Sequence, residues 1–316
     1  RILGMEVRRD RRARKLWLTQ SEYIGRMLRR YGMDGDDVKT CDTPSASDAK
    51  FSVAMCGDLG LDPKTNKNPL RQMIGSLLFA AICTRPDIAY EVSVLSRYVS
   101  NPGKGHLKGT RRMFRYLKKF PNAGLCLGGH SLIDHHWSDA DYGGDCATPE
   151  DSHKSRSSWQ SYLGHGLVMW KSKLQPVVAQ STCESETIAA CACSNAVMWL
   201  RSILRELGFP REQRSLLMID NRGAKDAARN PCNHKRMKHM NIRYHVLRER
   251  HRDGDLYVMW IDGEFNVADM GTKALPAPRF SHLRNLIFAN RRFDFPDKKD
   301  AYERRRIKNL LHDIYG

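Results

Sequence analysis

The chain has 316 residues, 41% hydrophobic and 28% charged, enough for roughly two domains with their own cores and too apolar for a disordered chain. Lys and Arg number 53 against 35 Asp and Glu, a formal charge of +18, which points to a polyanionic partner such as nucleic acid. No uninterrupted apolar run reaches the ~20 residues of a membrane span and no secretory segment opens the chain, while nine Cys without a C-x-x-C pair fit a reducing compartment; a secreted or membrane-spanning protein is not expected.

The first 18 residues, LGMEVRRD then RRARKLWL, alternate and predict a two-stranded hairpin with a basic turn. Thr19 and Glu22 have the spacing of a capping box before YIGRMLRRYGM, where Ile24, Met27, Leu28 and Tyr31 share a helical face. Residues 34–68 are rich in turn formers and read as loop. RQMIGSLLFAAIC predicts a buried helix, and Pro86 opens a second one that Asn101-Pro102-Gly103 stops. HLKGTRRMFRYLKKF places Leu107, Thr110, Phe114 and Leu117 on one face and cations on the other, a face that suits solvent as well as nucleic acid.

From about residue 129 the texture changes. LIDHHWSD, SRSSWQSYLG and GLVMWKSK predict three antiparallel strands, and a long helix follows from Thr182 to Leu207 with Gly208 at its C-terminal stop. SLLMID, NRGAKDAARN, KHMNIRYHVLRERH and DLYVMWID read as strand, helix, helix and strand, and NVADMGTKAL opens a last helix. The order β-β-β-α-β-α-α-β-α is that of a mixed α/β sheet with helices packed on it.

Four acids stand out by position. Asp139 in SDADYGGD lies at a strand end, and so does Asp220, which closes SLLMID; Glu186 lies in the first turns of the long helix, on the face of Ala189, Ala190, Cys193 and Val197, so it points inward; Asp269 starts the last helix. Carboxylates at two strand ends and two helix starts can converge, where their repulsion is relieved by hard divalent cations such as Mg²⁺ or Mn²⁺, and two such ions suit phosphodiester hydrolysis. Each acid has a competitor reading. Asp141 shares the face of Asp139, Glu184 is also near the helix start, Asp220 with Asn221 fits an N-cap, and Asp269 fits a plain first-turn acid. Cys232, His234, His239 and His245 offer zinc ligands, but their spacing matches no common zinc frame.

SDADYGGD, HKSRSSWQSYLG, VMWKSKLQPVVAQSTCESETIAA, IDNRGAKDAARNP, KHMNIRYHVLRE and NVADMGTK resemble, in order, the ribonuclease H domain of copia-type LTR retrotransposon Pol polyproteins. LGMEVRRD and LWLTQSEYI resemble the primer grip of that family's reverse transcriptase, and NPLRQMIGSLLFAAICTRPDIAYEVSVLSRYVSNPGKGH its thumb and connecting segment. The resemblance implies a reverse-transcriptase segment without polymerase site over 1–128, a ribonuclease H-like mixed sheet with packed helices over 129–290, and a basic tail over 291–316. It implies a two-metal (Mg²⁺, with Mn²⁺ as substitute) endonuclease cutting the RNA strand of RNA–DNA hybrids. Its catalytic and metal-holding acids fall on Asp139, Glu186, Asp220 and Asp269, and its partner is the upstream palm and fingers of the same polyprotein. Polymerase activity is not expected from this chain alone. Thr187 stands where the family has an aromatic and Asn241 where Asp is common, while all four acids are kept.

For the hybrid, the basic segment supplies Asn233, His234, Lys235, Arg236, Lys238, His239 and Arg243, with Asn221 after the third acid and Ser155, Arg156 and Ser157 on the second strand as further backbone contacts. The alternative is a silent or domesticated remnant that binds nucleic acid without cutting. The expected compartment is the cytoplasm, in a virus-like particle, or the nucleus.

Overall fold

The computed structural model describes residues 1–57, 59, 69–128, 133–229 and 241–288. The expected hairpin forms from β1 (Glu6–Asp10) and β2 (Lys15–Thr19), and a strand not foreseen, β3 (Leu125–Gly128), joins the free edge of β2. Leu16 and Leu18 pair across that edge with Leu127 and Leu125, so the hairpin buries apolar side chains it could not cover alone. Helix α1 (Ser21–Arg30) buries Ile24, Met27 and Leu28 as its periodicity requires. Its capping box does not form. The carboxylate of Glu6 on β1 takes that place, accepting from the Ser21 and Glu22 amides at 2.7 and 3.2 Å and from the Thr19 hydroxyl at 3.0 Å.

Helices α2 (Pro69–Cys83), α3 (Ala89–Leu95) and α4 (Lys104–Lys119) complete this part, with 3-10 turns at Pro86–Ile88 and Ser96–Tyr98 around α3. Helix α2 is not buried all round, since Leu78 and Ile82 are exposed. Between α2 and α3 lies a fully buried ion pair, Arg85 with Asp87.

The remaining elements build a five-stranded sheet in the order β6-β5-β4-β7-β8 from β4 (Asp134–Asp141), β5 (Arg156–Leu163), β6 (Gly166–Leu174), β7 (Ser215–Ile219) and β8 (Leu256–Trp260). Strands β6, β5 and β4 run antiparallel, whereas β4, β7 and β8 are parallel. The parallel strand β7 is buried throughout, which its unbroken run SLLMI anticipates. Helices α5 (Thr182–Glu206), α6 (Arg222–Arg229) and α7 (Asn241–Arg252) supply the crossovers, and α5 packs on β4 and β5. By length and composition α5 would suffice to cross a membrane, but half of its apolar window is buried inside the protein.

The fold is therefore the mixed α/β class expected, a mixed sheet with packed helices preceded by a mainly helical part with an N-terminal hairpin. Its end differs: NVADMGTKAL forms a 3-10 turn, Val267–Gly271, and the last described helix, α8 (Ala277–Phe288), starts only past Pro276, which lacks an amide to continue the turn. One apolar cluster runs through both parts, joining Ile24, Leu70 and Phe114 to Trp137, Tyr162 and Leu283.

Candidate active site

The parallel pairing of β4 with β7 positions two of the four acids. Trp137 is level with Met218, and continuing that register by two residues brings Asp139 level with Asp220, just past the end of β7. Helix α5 crosses above them because Ala189, Ala190 and Cys193 are small and wholly buried, and Glu186 one turn earlier on that face is directed at the same strand ends. Carboxylate oxygens of Asp139, Glu186 and Asp220 all lie within 4.8 Å of one another.

The 3-10 turn closes the site from the side. Asn266 caps it, accepting from the Ala268 amide at 3.1 Å, and donates through Nδ2 to Ser138 O at 3.0 Å and toward Asp139 Oδ1 at 3.5 Å. Gly271 rests directly on β5: a Cβ there would fall 2.2 Å from Ser158 Oγ, so the close crossing requires glycine. Thr272 Oγ1 then donates to Asp139 Oδ2. Asp269 differs from the other three acids, because each of its oxygens already faces a cation, Lys273 Nζ at 2.7 Å and Arg279 at 3.1 Å.

Burial pushes Asp139 up to about 7, with the charges of Asp269 and Asp220 adding to the effect. Burial likewise holds Glu186 well above the usual carboxylate range, helped by Asp139 and Asp220. Asp220 is raised by burial, against the hydrogen bond from Asn266 and with the charge of Asp269 adding. Burial works against the Lys273 ammonium, but Asp139 and Asp269 beside it raise it overall. Glu186 Oε2 is buried without a hydrogen-bond partner. Three crowded carboxylates, one with an orphaned oxygen, form a hard oxygen donor set that fits a divalent cation.

The competing acids are otherwise engaged. Glu184 serves the helix start, its amide donating to the N-cap Ser181 Oγ at 3.1 Å and its carboxylate accepting from the Gln180 amide at 2.7 Å. Asn221, not Asp220, caps α6 by accepting from the Ala224 amide at 2.9 Å. Asp141 stands opposite Arg156 in the strand register, and burial raises it.

The proposed hybrid contacts fare differently. Ser155, Arg156 and Ser157 are buried rather than presented to a ligand: Ser155 Oγ accepts from the Gly143 amide, Arg156 donates to Ser93 Oγ at 2.7 Å, and Ser157 Oγ accepts from Gln175. A backbone contact from any of them would need that packing undone. Arg243 is half-buried on α7. Asn233, His234, Lys235, Arg236, Lys238 and His239 lie outside the described residues, as does Cys232. Asn266, Thr272, Lys273 and Arg279 are site residues that sequence reasoning passed over. The first three stand in NVADMGTK beside the acid it singled out, and Asn266 carries a cap signal; Arg279, ten residues on, has no local signal.

No family model matches the chain. A retrovirus-related Pol polyprotein from transposon TNT 1-94 of Nicotiana tabacum is 39% identical over 90% of this chain and 21% of its own length. The corresponding polyprotein from transposon RE1 of Arabidopsis thaliana is 35% identical over 92% of this chain and 19% of its own. Ribonuclease H1 from the archaeon Halobacterium salinarum NRC-1 has a TM-score of 0.29 and 14% identity, over 44% of this chain and 94% of that one. The chain thus spans about a fifth of the length of the curated relatives it matches. Nine-tenths of its residues align with the retrovirus-related Pol polyproteins of transposons, so the chain is similar to one stretch of them.

Proposed function

We propose that this chain is the ribonuclease H part of such a polyprotein and hydrolyses the RNA strand of RNA–DNA hybrids with two Mg²⁺ ions, for which Mn²⁺ can substitute. The observation that carries the reading is the meeting of Asp139, Glu186 and Asp220, with Glu186 Oε2 buried and unpartnered. These three would hold the cations, and Asp269 would contribute from the facing turn once its contact with Lys273 opens. Bound divalent ions supply an activated water and charge stabilisation at the leaving oxygen. The chain's own residues prepare for that. Asn266 and Thr272 hydrogen-bond the carboxylate of Asp139, α5 holds Glu186 over the strand ends, and Lys273 offsets the negative charge of Asp139 and Asp269.

Hybrid contact is assigned to the basic segment around residues 233–239, to Arg243 and to Asn221 at the rim. The division of the chain at 128/129 into a reverse-transcriptase segment and a nuclease domain belongs to the same proposal, with the upstream palm and fingers as partner. A second reading, a remnant that binds without cutting, has one observation in its favour: both oxygens of Asp269 are already paired with cations. Incubation with an RNA-labelled hybrid and Mg²⁺, beside an Asp220→Asn variant, separates the two. Metal-dependent cutting lost in the variant supports the nuclease; binding without cutting in the unaltered chain supports the remnant.

A further inference from the structure

Helix α4 carries seven cations, and they fall into two groups. Those of the last turn serve the protein itself. Lys118 donates to the carbonyls of Gly35 and Val38 at 2.7 and 3.1 Å, and Lys119 pairs with Asp42. The others, Lys104, Lys108, Arg111, Arg112 and Arg115, recur at helical spacing and line a pocket of about 370 Å³. Among the described residues no carboxylate pairs with Lys108 or Arg111. Arg112 reaches Thr43 Oγ1 at 3.0 Å with one nitrogen and leaves its buried Nε unpartnered, and Arg115 donates to the Lys39 carbonyl.

This stripe is unfavourable for the helix by itself. Lys104/Lys108, Lys108/Arg112 and Arg111/Arg115 are like charges at i, i+4, and no acid occupies the first turn to meet the positive helix end. A ligand that gathers several negative charges in a row relieves the repulsion. From Lys104 to Arg115 the helix rises about 16 Å, which is about five nucleotide rises of one strand at ~3.4 Å each. The apolar pocket residues give no means of inserting into lipid, since Met33 is buried and Leu107 half-buried, and none of the exposed large hydrophobic side chains lies on α4.

We infer that the α4 stripe centred on Lys108 and Arg111 is a second nucleic-acid contact, one that grips the phosphodiester backbone of a duplex without reading its bases. No aromatic side chain lines the pocket to stack on a base. The contact is independent of the carboxylate site and needs no metal.

The test is fluorescence anisotropy of a 20-base-pair RNA–DNA hybrid with the full chain in EDTA, across a salt series, so that cleavage plays no part. Each lost phosphate contact lowers the slope of log affinity against log salt by about 0.9, so Lys108→Gln/Arg111→Gln should reduce it by about 1.8 and weaken binding roughly thirtyfold at 0.15 M salt. Lys118→Gln/Lys119→Gln removes the same formal charge from the same helix and should keep the unaltered slope. Should the first pair melt early, Lys108→Gln alone carries the reading at half the slope change. Equal losses in both pairs would reduce the effect to bulk charge and overturn the inference. So would unchanged hybrid binding, or a defect confined to phosphatidylserine vesicles.

Discussion

Arg85 and Asp139 are both buried ionisable side chains, one in the helical part and one near the end of the sheet's central strand, and their surroundings are balanced in opposite ways. Around Arg85 every charge has an answer. Its guanidinium is bidentate to Asp87 at 2.9 and 2.7 Å and donates its third nitrogen to the Phe120 carbonyl at 2.7 Å, while Tyr116 donates to the same Asp87 carboxylate. Around Asp139 there are too many acids. Glu186 and Asp220 crowd it, and the nearby Lys273 is already bonded to Asp269. A compensated cluster holds a fold together; an uncompensated one stores repulsion that a cation can release.

The sharpest way to break this contrast is to unbalance the first cluster. Arg85→Met removes the cation and leaves Asp87 buried and unpaired, which should cost about 3–5 kcal/mol of stability. Urea unfolding of the two proteins measures it. A loss below that of an ordinary surface substitution would mean that the Arg85 cluster does not hold the fold together.

The second cluster should respond with the opposite sign in stability. Asp139→Asn removes one of the repelling charges, so the metal-free variant should melt at or above the temperature of the unaltered chain. Hybrid cleavage should meanwhile fall by about a hundredfold to a thousandfold, the scale of losing one preorganised electrostatic partner. Thermal melting and cleavage rates on the same preparation check both halves. A variant that is less stable and still active would place Asp139 in the structural class with Asp87.

The two clusters were not equally legible in the sequence. Asp139, Glu186 and Asp220 were singled out because strand ends and an inward helix face leave signatures in the sequence, and the structure brings their carboxylates together; Asp269, expected at a helix start, sits instead in a 3-10 turn ahead of α8. The pairing of Asp269 with Lys273 is a local i,i+4 contact that was passed over, whereas its pairing with Arg279 depends on how α8 folds back past Pro276. Glu6 capping α1 and β3 joining β2 are likewise long-range arrangements, spanning 15 residues in one case and about 110 in the other, and local patterns carry no record of them. Ser155, Arg156 and Ser157 were read as surface contacts from their types alone; burial at the β4–β5 corner is a tertiary fact.

Acidity offers a smaller effect on the same contrast. Asp139, Glu186 and Asp220 have folded-state values raised above their unfolded ones, so the folded protein binds more protons than the unfolded chain in the window from about pH 4 upward. Stability from this site is therefore greatest in mild acid and declines as pH rises toward the value of about 7 at which Asp139 ionises. Differential scanning fluorimetry in EDTA should show the melting temperature falling by several degrees between pH 5.5 and 8. Millimolar Mg²⁺ should flatten that decline by favouring the ionised carboxylates. A decline that is the same with and without the ion would detach the raised acids from metal binding.

The smallest effect separates two glutamates two residues apart. Glu184 and Glu186 are both buried on the first turns of α5, yet only Glu186 faces Asp139, while Glu184 turns back to the Gln180 amide. Glu184→Gln keeps an acceptor for that amide and loses only the charge beside the positive helix end, so it should cost under about 1 kcal/mol. Its cleavage rate should match the unaltered chain, whereas Glu186→Gln should be inactive and, in the absence of metal, no less stable. Paired melting curves and cleavage time courses of the two variants make the comparison, and equal activity loss in both would erase the distinction between a helix cap and a cation ligand.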